Sequence, residues 1–153
     1  MAETKYGKYI ISELKPPEVE APWSPPNLGA VSKGKGGRVL YMDSSNVPGS
    51  FYTECVWVTP RPQITIEPTD KTKKVGTESH THDYDEVIGF FGTDLNNPYD
   101  LGAEAELWLG DEKHIINKTS LVFIPAGLKH ALYFLRVDRT VFHYTTGPSK
   151  MYM

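Results

Sequence analysis

The chain has 153 residues, of which 39% are hydrophobic and 23% charged, enough for one domain with a buried core that needs no covalent staple. Its net charge of -3 gives no general attraction to phosphate backbones, which argues against nucleic acid as a partner. A single cysteine, Cys55, rules out an intramolecular disulfide, and no apolar run approaches the roughly 18 to 20 residues a membrane span needs. The amino terminus, Met1-Ala2-Glu3-Thr4-Lys5-Tyr6, lacks the apolar core of a signal peptide, so a soluble cytoplasmic protein without a membrane partner is expected.

Residues 8–13 read as a short strand. Residues 15–37 are rich in proline, glycine and serine, and Pro16, Pro17, Pro22, Pro25 and Pro26 each remove a backbone donor. This stretch is expected to lie as an arm over the rest, anchored by Trp23 and Leu28. Ser32-Lys33-Gly34-Lys35-Gly36-Gly37-Arg38 lacks the spacing of a phosphate loop and reads as a turn. Strands are expected at 38–43 and 51–59, with Cys55 an inert packed thiol. A strand over 61–67 would turn Ile64 and Ile66 to the core, and another runs through the histidines to residue 86. Residues 87–91 continue as an apolar run, and 93–102 form an inserted loop. In 103–109, Glu104, Glu106 and Trp108 alternate with Ala105, Leu107 and Leu109. Gly110-Asp111-Glu112 marks a hairpin into 113–116, and further strands are expected at 121–124, 130–136 and 140–145. Trp57, Trp108, Phe123, Tyr133 and Phe134 are expected in the core. About ten short strands and no convincing helix indicate a sandwich or barrel of antiparallel sheets.

The chemistry concentrates in His80-Thr81-His82-Asp83-Tyr84-Asp85-Glu86. If the strand stays regular, His80, His82, Tyr84 and Glu86 share one face, which brings two imidazoles and a carboxylate together. Pro125-Ala126-Gly127-Leu128-Lys129-His130 delivers another imidazole from a tight turn. His80-x-His82-x3-Glu86 resembles the heart of the first cupin motif, Gly-x5-His-x-His-x3,4-Glu-x6-Gly. Pro125-x-Gly127-x2-His130 resembles the heart of the second, Gly-x5-Pro-x-Gly-x2-His-x3-Asn. With the flanking strands the resemblance covers roughly residues 60 to 145. The outer positions depart from it: Gly76 lies too near His80, Gly92 falls one residue short of the closing position, and Thr119 and Phe134 stand where glycine and asparagine are expected.

The resemblance implies an all-β, cupin-type jelly-roll β-barrel (double-stranded β-helix), expected over 51–153; it leaves 1–50 unexplained, and these are expected to supply amino-terminal strand and the proline-rich arm packed on the barrel. It also implies His80, His82, Glu86 and His130 as metal ligands. Three imidazoles and one carboxylate suit a divalent transition metal such as iron, manganese, nickel, cobalt or zinc, and in an octahedral field they leave two positions open. Tyr84 is a candidate catalytic acid or base. Arg61, Gln63 and His143 are candidate substrate-binding residues, Arg61 through affinity for a carboxylate. The function expected is that of a metal-dependent enzyme acting on a small-molecule substrate. Dioxygenase-type oxidation is slightly favoured over decarboxylase, isomerase or lyase chemistry, and the alternative is a non-catalytic ligand-binding or sensor module. A homodimer is expected, because barrel edges pair readily.

Overall fold

The structure is a computed structural model that describes residues 4–15, 30–64 and 76–148. Its strands are β1 (Gly37–Met42), β2 (Tyr52–Val58), β3 (Gly76–His80), β4 (Glu86–Phe91), β5 (Asp100–Leu109), β6 (Glu112–Lys118), β7 (Ser120–Ile124), β8 (His130–Val137) and β9 (Val141–Gly147). They form two antiparallel sheets, one ordered β1-β2-β9-β4-β7 and the other β3-β8-β5-β6. Except at the β1–β2 and β5–β6 pairs, successive strands cross between the sheets, and apart from β1 each sheet holds four strands, the arrangement of a jelly roll with two Greek keys. The fold is the jelly-roll barrel that the motif resemblance implies. Among the described residues no helix is long and apolar enough to cross a membrane.

Alternation along the strands builds the core. In β5, Ala103, Ala105 and Leu107 are buried while Glu104, Glu106 and Trp108 are only partly covered, matching the parity read from the sequence. The inner faces meet in a cluster that includes Val58, Ile88, Phe90, Leu107, Ile124, Leu132, Phe134 and Val141. Each large side chain so enclosed contributes about 1.5–3 kcal/mol. A smaller cluster of Ala131, Tyr133 and Leu135 with Trp108 covers the outer face of the second sheet. Phe134 and Tyr133 are buried as expected, but Phe123 is 59% exposed. Its strand β7 is a sheet edge, and Leu121 and Phe123 lie on its solvent side.

Several local expectations are corrected. Residues 8–13 form no strand: a 3₁₀ turn occupies Gly7–Tyr9, where the Gly7 N–H donates to Thr4 Oγ1 at 3.1 Å and Tyr9 and Ile10 bond back within the turn. Among the described residues no strand pairs with this stretch, and its bonds are local. The 61–67 stretch is not a strand in its described part. Arg61 makes an isolated bridge with Val137, and the Ile64 N–H donates to the Leu135 carbonyl at 2.8 Å. Ile66 lies outside the described residues, as do Trp23, Leu28 and the five arm prolines. Ser32 and Lys35 close the expected turn with Gly34 at φ 76°. The 93–102 loop is shorter than expected, because β5 already begins at Asp100. β1, amino-terminal to residue 50, pairs with β2 and so belongs to the first sheet.

The histidine strand stops at His80, and residues 81–85 form a bent loop before β4 begins at Glu86. Within β3 the register against β8 shifts, with Thr77 opposite Leu132 and His80 opposite His130. One extra residue in β3 therefore lets both Thr77 and His80 stand opposite inward positions of β8, the re-aiming that a bulge performs.

Gly92 needs its missing side chain: a Cβ there would collide with the Asp100 carbonyl oxygen where the chain crosses from β4 toward β5. Gly92→Ala should lower unfolding stability by about 1–3 kcal/mol, read as a reduced urea midpoint, and an unchanged midpoint would show that this crossing yields freely.

Candidate metal centre

β3, the 81–85 loop and the turn before β8 converge at one end of the barrel. His80, His82 and His130 each offer a ring nitrogen, and these atoms all lie within 4.8 Å of one another. The ring centroids of His80 and His130 are 4.2 Å apart, and those of His82 and His130 4.9 Å. Three histidines so placed can hold a metal ion. Glu86, the first residue of β4 and 8% exposed, bonds through Oε2 to His82 Nε2 and stands 3.9 Å from His130 Nε2.

Backbone carbonyls set the ring orientations. His82 Nδ1 donates to the Tyr84 carbonyl at 2.9 Å, and His130 Nδ1 donates to the Leu128 carbonyl at 2.8 Å. A carbonyl only accepts, so Nδ1 carries a proton in both rings; in neutral His130 this leaves the Nε2 lone pair free, the tautomer a ligating imidazole requires, while His82 Nε2 faces the Glu86 carboxylate and must give up its proton to bind an ion. His130 is 5% exposed and its Nε2 has no hydrogen-bond partner. A buried acceptor left in that state costs about 1–3 kcal/mol, which a cation at this point would recover. The residues present therefore fit a metal.

Burial works against a charge on His82, but the Glu86 carboxylate, the Tyr84 carbonyl and the Asp83 charge outweigh it and raise its pKa above the ordinary value. His130 shifts the other way. Desolvation dominates and His82 adds to it, against the Leu128 carbonyl and Glu86, so its pKa is lowered. A neutral His130 is the ligand form.

The two ligand-bearing turns are tied to each other. The Gly127 N–H donates to the His82 carbonyl at 2.8 Å, and the Ala126 N–H donates to Asp85 Oδ1 at 2.9 Å. Gly127 has φ 83°, a conformation that favours glycine, and it turns its N–H toward His82.

The other candidates are placed as follows. Tyr84 does not follow strand parity. It folds back so that its ring stacks on His82 with centroids 4.0 Å apart and planes 2° from parallel, and it packs against the buried Tyr41–Tyr52 pair. Arg61 faces Val137, seven residues along β8 from His130 and thus roughly 20 Å away at about 3.3 Å per residue. Gln63 Oε1 accepts from Arg136 Nη1 at 3.3 Å at an exposed position. Neither is brought to the histidine cluster. His143 lies opposite Phe90 on β4, four residues past Glu86. Its ring packs on Phe90 and Phe134 and its Nδ1 donates to the Gly89 carbonyl at 2.9 Å. That is a satisfied core histidine beneath the site. Burial, with a smaller effect of Glu54, pushes the Cys55 thiol up, consistent with an inert side chain.

Sequence reading passed over Asp85, Arg38 and Glu54. Arg38 is 3% exposed and pairs with Glu54 at 3.3 Å inside the first sheet. Nothing local in Gly37-Arg38-Val39 distinguishes a buried arginine from a solvated one. For Asp85, the signal is its position just before a strand that pairs with one ending at a proline.

Solved structures similar to this chain are cupins and related proteins. An RmlC-like cupin from Shewanella frigidimarina is 12% identical with a TM-score of 0.41, over 67% of this chain and 69% of that one. KdgF from Halomonas sp. is 15% identical with a TM-score of 0.43, over 75% and 78%. A predicted oxalate decarboxylase from Thermotoga maritima is 8% identical with a TM-score of 0.46, over 75% and 79%. No protein-family model and no curated protein matches the sequence.

Desolvation lowers the pKa of His143 from 6.5 to about 4, although the residue as a whole keeps intermediate accessibility; enclosure of the ring between two phenyl groups sets the direction. Below pH 6.5 the unfolded chain takes up a proton that the folded chain refuses. Stability is therefore complete above that pH and falls toward about pH 4, by up to about 1.4 kcal/mol per pH unit. In chelator-treated protein, His143→Gln should flatten this slope of denaturation free energy against pH. An unaltered slope would assign it to another group.

Proposed function

We propose that the protein is a mononuclear metal-dependent enzyme acting on a small organic molecule, by dioxygenase-type oxidation or by Lewis-acid decarboxylation, isomerisation or lyase chemistry, with oxidation slightly favoured. The observation that carries this reading is the convergence of His80, His82 and His130 nitrogens within 4.8 Å, beside the buried carboxylate of Glu86. His80, His82, Glu86 and His130 would hold one divalent ion of iron, manganese, nickel, cobalt or zinc. Such an ion, when bound, supplies Lewis acidity and, for a redox-active metal, a route to dioxygen.

The chain's own contribution is positional. Tyr84 stacks on His82 and holds its Nδ1 proton through the backbone, which supports a role in orienting that ring. Leu132, two residues past His130, and Ile124, opposite Glu86, back the site with apolar surface that excludes water. Low local polarity strengthens every charge interaction within the site. A buried carboxylate flanked by imidazoles can also exchange a proton with a bound substrate.

Chelator-treated protein titrated with Mn(II) or Co(II) should take up one ion per chain. His130→Ala should weaken that binding by more than about 100-fold, since even partners of ligands are typically worth 10- to 100-fold. Equal affinity in the variant, or no uptake by the parent, refutes the site. Oxygen consumption by iron-loaded protein across small phenols and carboxylic acids then selects the oxidative branch. Product formation under nitrogen selects the other, and ligand binding without turnover in either condition would make the protein a binding module.

A further inference from the structure

We infer that Asp85 is a positioning residue that sets the distance between the two metal-binding turns; the inference rests on the metal reading above and deepens it. The need for such a residue follows from the ladder. β4 and β7 pair with Glu86 opposite Ile124, which puts Asp85 opposite Pro125. Proline has no N–H, so β7 offers no backbone donor at the position where the ligand turns begin. The Asp85 carboxylate takes over one residue later and accepts the Ala126 N–H at 2.9 Å. The next donor, the Gly127 N–H, goes to the His82 carbonyl at 2.8 Å.

Both consequences reach the ligands through few atoms. Pro125 and Leu128 close the turn, with the Leu128 N–H donating to the Pro125 carbonyl at 3.1 Å, and the Leu128 carbonyl holds His130 Nδ1. On the other side, the loop that carries Asp85 also carries the Tyr84 carbonyl holding His82 Nδ1. Asp85 therefore links the two carbonyls that aim His82 and His130. It is exposed, it is not among the histidines that cluster, and its carboxylate is engaged by the Ala126 N–H. Its removal should loosen the spacing of the imidazoles without opening the core.

Three proteins separate the possibilities: the parent, Asp85→Ala, which removes the acceptor, and Asp85→Asn, which keeps an acceptor oxygen while removing the charge. Chelator-treated samples are titrated with Co(II), following the visible absorption of the bound ion, and the exchange of the Ala126 amide is followed by NMR without metal. The expected result is an affinity about tenfold weaker in Asp85→Ala, with faster Ala126 exchange and an unchanged melting temperature of the metal-free form, and near-parent values in Asp85→Asn. Parent-like affinity in Asp85→Ala overturns the inference. Equal weakening in both variants also overturns it, because charge rather than the hydrogen bond would then be responsible, and so does a weakening matched by a fall in metal-free melting temperature. If the parent itself binds no Co(II), the metal reading fails and the inference falls with it, an outcome recognised from the parent alone.

Discussion

Antiparallel pairing of β3 with β8, displaced by one bulged residue, is the contact on which the centre depends. Without the bulge, Thr77 and His80 would face opposite sides of the sheet, and one of them would leave the interior. With it, His80 stands directly across from His130, close enough for their rings to approach within 4.2 Å. The rest of the second sheet then fixes β8 itself, since β5 pairs along nearly its whole length, from Val137 to His130. The core below is ordinary jelly-roll packing, and Leu132 on β8 belongs to it.

A centre with three imidazoles and a carboxylate is expensive to assemble without an ion. Glu86 is buried and His130 is desolvated enough to resist protonation. Direct bonding of Glu86 to His82 relieves part of this cost, and the carbonyls of Tyr84 and Leu128 fix the two rings so that their Nε2 atoms face inward. Donors are thus oriented before a ligand arrives, so less ordering remains to be done at the moment of binding. The same logic explains why the ligand turns are laced together by backbone and carboxylate bonds rather than by apolar contacts, which tolerate sliding.

What could be read from the chain follows how locally each feature is determined. Strand alternation in 103–109 depends on neighbours two residues apart, and it appears in β5 with the expected parity. The spacing of His80, His82 and Glu86 and of Pro125, Gly127 and His130 is also local, and it pointed to segments that do meet. Features set by distant pairing were not legible. Arg61 and Gln63 precede the histidines closely in sequence, yet Arg61 pairs with Val137 at one end of β8 while His80 pairs with His130 at the other, so proximity in the chain becomes distance in space. Alternation puts Tyr84 among the ligands only in an unbroken strand. The break after His80 turned it onto His82 instead, and the bulge in β3 that accompanies this change leaves no mark in the composition. Phe123 looked like core because apolar runs usually are, but an edge strand keeps one face in water.

The central claim is that separate segments of this barrel present their imidazoles to one ion. X-ray absorption at the edge of the bound metal, on Zn(II)- or Co(II)-loaded protein, tests it most directly, because outer-shell scattering counts imidazole ligands without reference to activity. Three imidazoles per ion are expected, from His80, His82 and His130, with the remaining donors oxygen. A first shell of oxygen alone, or a single imidazole, would contradict it.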